Sequence, residues 1–449
     1  MTATQANAQV QGSTQIASSP RRRTGRAWVI TVMLLVFMLI NFADKAALGL
    51  AAVDITKDLG LTNSQYGLLS SGFFFLFSVA ALAVGIISDR VPTKWIILVM
   101  ALIWSVSQVP LIGTVGFGTL LVSRIVLGAA EGPAFPVANY AVHKWFNNAG
   151  RSLPSAIVTI GAPLGVIVGA PAITWVIVHH GWHAAFLLLA VIGLVWSVVW
   201  IFVGRDGKND DSLVVSTAEV ESTRMPTWRI LTSGTWLSSV FAGFAAYWAL
   251  ALLVAWLPKY LETQLGYSTT VTGTLIILPW AAGALGQLLQ GGFTGRMMRR
   301  GMSSRKARGI LGGVCVTVSG LAMLGFIFVP TGWVKIVFMT IGFNLAGIIF
   351  ALSLTVCSEI SPPKQRGRVL GTYAAIYATS GIIAPYLTGR LIDAIGAHNG
   401  YEISFLITAL LLIVAGVIAT VFIRPERDAL RLRQNAVIER DDVSSVSAA

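Results

Sequence analysis

Four charged side chains lie inside long apolar stretches of this chain: Asp44, Lys45, Arg124 and Glu131. Two acids and two bases in such surroundings can carry protons, pair with one another or hold an ion of opposite sign. An ionised group placed at the centre of a bilayer costs at least about 2.5–3.5 kcal/mol, so a chain keeps one where it is paired or used. Arg124 and Glu131 are seven residues apart, two helical turns, and share one helix face. Asp44 and Lys45 are neighbours, so they point about 100° apart and address different sides of one edge. The expectation is that Asp44 pairs with Arg124, Glu131 loads and releases the proton, and Lys45 meets a substrate carboxylate. The competing reading is an inert ion-pair cluster that locks helices together. Gly128, Gly132 and Pro133, which loosen the helix beside Glu131, make such a cluster a poor static staple.

The elements that must position these residues are membrane spans. Of 449 residues only 11% are charged and 55% are hydrophobic, with a mean hydropathy of +0.75. An ordinary soluble domain carries about 25% charged residues, so a soluble enzyme is excluded. A spanning helix needs about 20 mostly apolar residues, and twelve segments qualify: 27–50, 63–88, 95–115, 117–141, 152–178, 183–204, 235–257, 270–294, 308–329, 334–357, 369–392 and 402–423. The expected fold is an all-α membrane protein with twelve transmembrane helices in two six-helix bundles. The organisation reads as a disordered cytoplasmic tail (1–26), an N-terminal bundle (27–204), a cytoplasmic linker (205–234), a C-terminal bundle (235–424) and a second cytoplasmic tail (425–449). The first 20 residues hold no apolar run and do not read as a signal peptide.

The net charge of +13 comes from loops. With the N-terminus inside, cytoplasmic segments hold 26 of the 32 Lys and Arg residues and the opposite side holds three, Lys57, Lys259 and Lys335. Basic residues of short loops stay in the cytoplasm during insertion, which places both termini there and the chain in the cytoplasmic membrane. Spread over separate loops, these charges form no nucleic-acid groove. Cys315 and Cys357 lie in apolar runs, and the five histidines have no acids or cysteines at ligand spacing, so no metal and no disulfide framework is expected. No phosphate-binding loop appears, and no cofactor is expected. Nor is there a nucleophile with a partnered base, which argues against a membrane enzyme. The expected partners are the lipid bilayer, a small organic anion and a proton, and the chain is expected to act as a monomer.

The two halves carry a weak repeat. After span 2 the chain reads Gly85-Ile-Ile-Ser-Asp89-Arg90-Val-Pro-Thr-Lys94, and after span 8 Gly291-Gly-Phe-Thr-Gly295-Arg296. The first segment resembles the loop between helices 2 and 3 of the major facilitator superfamily, and the twelve spans and long central loop extend that resemblance over nearly the whole chain. A narrower resemblance, to the anion:cation symporter family of organic-acid carriers, rests on Asn41-Phe42-Ala43-Asp44-Lys45 and on Arg124, Gly128, Glu131 and Gly132. That family typically has Tyr and Arg where this chain has Phe42 and Lys45, and Tyr where Phe77 stands.

The resemblance implies alternating access, with the membrane potential worth about 2.3 kcal/mol per charge per 100 mV as part of the driving force. Gly85, Asp89, Arg90 and Lys94 become a conformational latch, with simple topology signalling as the plainer reading of the two basic residues. Phe42 and Phe77 remove two phenol donors that a polyhydroxylated sugar acid would use, so the cavity is expected to favour an aromatic or short aliphatic carboxylate. Asn344, Tyr373, Tyr377, Thr379 and Ser380 are further candidates for substrate contact, each equally readable as interhelical packing. Trp28, Trp95, Trp182 and Tyr401 read as interfacial anchors. The expected function is import of a small organic anion by proton symport. The alternatives are a proton-coupled exporter of hydrophobic compounds and a membrane sensor without flux.

Overall fold

The structure is a computed structural model that describes residues 24–88, 90–146, 152–207, 225–362, 365–432 and 434. Both expected tails lie largely outside these residues, as do Asp89 of the expected latch and positions 208–224 of the expected linker. Every regular element among the described residues is helical. Eleven stretches are long and apolar enough to cross a membrane. The twelfth, in the expected place, is two shorter helices end to end, Arg366–Ala378 and Ser380–Ile395. The fold is thus the expected all-α one of twelve spans in two six-helix bundles, spans 1–6 and spans 7–12.

Local chemistry sets where spans begin. Thr62 and Gln65 form a reciprocal capping box at the start of span 2, and Ser233 and Ser268 cap spans 7 and 8 with their hydroxyls. Gly181 and Gly396 turn the chain between spans 5 and 6 and between spans 11 and 12 in a left-handed conformation, with φ of 81° and 86°. Several spans are interrupted along their length. Span 2 breaks at Leu76, span 4 at Gly132-Pro133 just after Glu131, span 8 at Ile276, span 10 at a 3-10 turn over Leu345–Gly347, and span 11 at Thr379. Inside a bilayer such breaks are tolerated where protein or a cavity covers the freed backbone.

Within the N-terminal half, span 5 meets span 1 through Gly161, where an added β-carbon would sit 2.7 Å from the Leu35 carbonyl oxygen, and through Gly165 against Leu39. Span 4 lies equally close to span 2, because Gly128 and Gly132 admit the carbonyl oxygens of Phe73 and Phe77. Trp95 is exposed, as an interfacial anchor requires, whereas Trp182 and Tyr401 are buried. The Trp182 indole donates to Asp58 instead of reaching the lipid boundary, which corrects the expectation for that residue.

The two halves are joined at the end remote from the termini. Every hydrogen bond between halves among the described residues uses the first turns of span 2. Asp393 accepts from the backbone and side chain of both Asn63 and Ser64, Lys259 Nζ donates to Asn63 Oδ1 at 2.9 Å, Tyr66 Oη donates to the Ala255 carbonyl at 2.7 Å, and Tyr386 N donates to Ser71 Oγ at 3.1 Å. Gly67 allows this approach, since a β-carbon there would lie 2.5 Å from the Pro385 carbonyl oxygen. At the end that carries the termini, the described hydrogen bonds stay within each half. Thr93 and the Lys94 amide bond Asp206, and Asp428 holds Thr235.

Candidate functional site

Lys45 is the hub of the buried charges. One turn earlier, Asn41 Oδ1 accepts from its ammonium at 2.7 Å, and the ring of Phe42 lies 4.1 Å from the same nitrogen. Phe77 and Phe73 of span 2 add aromatic faces at 5.5 and 5.9 Å. A cation over such faces is held by the ring quadrupoles. Glu131 Oε2 completes the setting at 3.5 Å. Gly128 and Gly132, on either side of Glu131, bring span 4 against Phe73 and Phe77 of span 2, so that the rings of span 2 and the carboxylate of span 4 surround the Lys45 ammonium of span 1. Glu131 is wholly enclosed, whereas the Lys45 side chain keeps 15% of its surface open, so an incoming anion can reach the lysine and not the glutamate.

Asp44 faces another way. Its Oδ2 accepts from Gln108 Nε2 of span 3 at 3.1 Å, and Oδ1 is buried with no hydrogen bond. Arg124 stacks its guanidinium 4.9 Å from the Phe186 ring, leaves Nε and Nη2 unbonded, and interacts through space with Asp44 and then Glu131. The direct contacts therefore differ from the sequence expectation. Asp44 and Arg124 form no ion pair; the ion pair is Lys45 with Glu131. Buried unpaired polar atoms are costly and are retained at sites that do work. Gln108 lies within the expected span 95–115 but carries no charge, so the sequence does not single it out.

The other candidates separate clearly. Phe42 packs edge-on against Trp280 of span 8 at 5.8 Å, so it joins the halves beside Lys45. Asn344 sits at the break of span 10, against Gly283 and near Gly347. Tyr377 joins Tyr247 and Phe350 in a ring cluster with centroids 5.1 and 5.2 Å away. Tyr373 is fully buried beside Gly243 and is no cavity residue, which corrects that expectation. Thr379 and Ser380 mark the break of span 11, and both hydroxyls bond carbonyls of their own helix. Of the expected latch, Gly85 and Arg90 are exposed at the end bearing the termini. Lys94 instead bonds the Ile201 carbonyl at 2.9 Å, tying span 3 to span 6 within one half. A groove of about 770 Å³ between spans 3 and 4 is lined by residues such as Ile103, Val106 and Val122 on the outer face, and no charged residue lines it.

A twelve-span, two-bundle body that holds a few charges together at its centre is the architecture of a secondary transporter. The sequence profile of the Major Facilitator Superfamily matches residues 33–385 and 345–440, and the chain belongs to that superfamily. It is an integral, multi-pass membrane transporter and not an enzyme. A hexuronate transporter of Bacillus subtilis is 29% identical over 413 residues, covering 88% of this chain and 95% of the relative. A probable sulfoacetate transporter of Cupriavidus necator is 28% identical over 413 residues, covering 89% and 94%. Among solved structures, a bacterial homologue of the human lysosomal transporter Spinster superposes with a TM-score of 0.74 at 17% identity, covering 91% of this chain and 98% of that one. A D-xylose-proton symporter gives 0.72 at 14% identity, covering 89% and 99%. At such identities these structures speak for the fold.

Proposed function

We propose that this protein imports a small organic anion by proton symport, with both termini in the cytoplasm of the cell whose plasma membrane it spans. The observation that carries this reading is the buried Lys45–Glu131 pair, in which only the lysine is open to an incoming ligand. Protonation of Glu131 removes its hold on Lys45, and the ammonium is then free for a carboxylate. Loss of the proton on the cytoplasmic side restores the pair and releases the anion. Asp44, braced by Gln108, is the second proton-exchanging group, and Arg124 balances both acids. Phe42, Phe77 and Asn344 line the same space, and Gly85, Asp89 and Arg90 act as the cytoplasmic latch. Hexuronate and sulfoacetate, carried by the relatives, are both anions, and this favours an anion over the neutral or cationic cargo of an exporter. Within that class the phenyl rings at positions 42 and 77 favour an aromatic or short aliphatic carboxylate.

The test is uptake into proteoliposomes containing the purified protein, with a panel of organic acids selected by thermal stabilisation. An inward proton gradient should drive accumulation of at least one carboxylate, and Lys45→Ala should abolish it. Unchanged carboxylate uptake in Lys45→Ala, or efflux of neutral hydrophobic compounds that survives the substitution, overturns the reading. Absence of counterflow for every compound would instead favour a sensor.

A further inference from the structure

The four charges enclosed at mid-depth, Asp44, Lys45, Arg124 and Glu131, belong to the N-terminal half. The C-terminal half has no Asp, Glu, Lys or Arg in 236–256, 270–294, 310–328, 336–358 or 369–389. Whatever that half offers a ligand at mid-depth is neutral. Along span 7 the partly open residues Phe241, Phe244, Tyr247, Leu250 and Val254 recur every three or four positions as a single stripe. Tyr247 is at its centre. Its ring meets Tyr377 at 5.1 Å, Phe350 at 6.1 Å and, across the interface, Phe74 at 5.7 Å. Phe74 in turn lies 6.0 Å from Phe77, whose ring is 5.5 Å from the Lys45 ammonium, and Tyr247 also interacts through space with Glu131. These rings hold the two phenols in place, and neither hydroxyl bonds another described residue. Nor are they sealed in, as the hydroxyls of Tyr373 and Tyr401 are.

We propose that Tyr247 and Tyr377 form the distal end of the substrate site, donating to an oxygen at the end of the anion remote from the carboxylate held at Lys45. This inference rests on the carboxylate reading above and narrows it. The cargo is a compact or aromatic carboxylate that carries a second oxygen function, such as a hydroxyl, carboxylate or sulfonate, at its far end. The donors missing from positions 42 and 77 are thereby supplied from the opposite wall. A ligand bound to Lys45 on one half and to the two phenols on the other also bridges the bundles, so occupancy is felt by the interface that moves.

The experiment compares D-glucuronate and sulfoacetate, which have distal oxygens, with propionate, which has none, as competitors and labelled substrates in proteoliposome counterflow. The wild-type protein should prefer at least one of the oxygenated anions to propionate. Tyr247→Phe and Tyr377→Phe keep the ring packing, and each should lower that preference about tenfold, the value of one neutral hydrogen bond of about 1.4 kcal/mol. An unchanged preference in both variants, with Tm preserved, overturns the inference, as does a wild-type protein that takes propionate as readily as the others. Lys45→Ala distinguishes the two levels. If it abolishes exchange of every carboxylate while the tyrosine variants leave the preference intact, only the distal site is wrong. If it abolishes none, the carboxylate reading fails and this inference fails with it.

Discussion

Asp393 accepts both the backbone N–H and the hydroxyl of Ser64, at 2.7 and 2.5 Å, although the two residues stand in opposite halves of the protein and 329 positions apart. The carboxylate sits at the N-terminus of span 2, where unpaired amides and the helix dipole favour an anion. Asp393→Asn keeps the size and removes the charge. With spin labels at Lys57→Cys and Asn399→Cys, exposed at this end on opposite halves, the substitution should broaden and lengthen the measured distance. An unaltered distribution would show that the bonds are incidental to closure.

Closure of this end has a definite pH profile. Burial works to raise the Asp393 carboxyl, but the bonds from Ser64 and Asn63 outweigh it and hold the group below its ordinary value of 3.8. Closure therefore gains from the ionised carboxylate above that value and loses the gain as pH falls through it. Burial lowers the Lys259 ammonium from 10.5 to about 8. Enclosing it charged is a cost that persists below about 8 and fades as pH rises from there toward 10.5. Glu262, on the same short helix as Lys259, has its carboxyl lifted by burial and by Asp54 of the other half from 4.5 to about 7, so enclosing it costs more as pH rises over that range. The same spin-label distance should therefore lengthen from about pH 4.5 to 7 and shorten above about 8. A distance that stays flat from about pH 4.5 to 7 would remove Glu262 from the gate.

Coupling is tested apart from the gate, at the buried carboxylates. Glu131→Gln leaves Lys45 permanently without its ionic partner. It should retain counterflow and lose uphill uptake driven by a proton gradient. Undiminished accumulation would remove Glu131 from the coupling.

Much of this arrangement was readable in advance, for reasons that also mark where reading stopped. Span 11 was found from its apolar content even though Thr379 divides it, because hydropathy is blind to a break that neighbouring helices cover. Asp44, Lys45, Arg124 and Glu131 stood out because charge is expensive in hydrocarbon. Their pairing did not, since a seven-residue spacing gives a shared face but not the neighbour it meets, and in the fold Glu131 meets Lys45 of span 1. Tyr373 and Tyr377 are one turn apart and indistinguishable in sequence, yet Gly243 lets one ring sink fully while the other remains partly open. Asp393 and Asn63 look like the ordinary polar ends of spans, and only the fold places them together.

Among the described residues, Gln108 supplies the one side-chain hydrogen bond to Asp44, in a fully buried setting. Gln108→Leu preserves approximate volume and leaves the carboxylate without a donor, a loss of about 1–3 kcal/mol for a buried polar group. Lower Tm should accompany a shifted pH dependence of uptake, because the ionised form of Asp44 loses its support. Gln108→Glu, which offers no amide donor, should shift it as well. A Tm change without any change in pH dependence would make Gln108 a packing residue only.

Gly389 faces the Asn63 backbone carbonyl so closely that a β-carbon has no room, just as Gly67 faces Pro385 on the partner helix. The two glycines let spans 2 and 11 meet backbone to backbone at the same end that Asp393 clamps. Gly389→Ala should therefore push the halves apart by sterics, at a cost of about 1–3 kcal/mol to the closed form. Its effect on the spin-label distance should match that of Asp393→Asn in direction but differ in kind. The alanine variant should respond to pH below 4 like the wild-type protein, while the asparagine variant should have lost that response. If both variants lose it together, the carboxylate has no separate part in closure and the glycine contact alone holds this end shut.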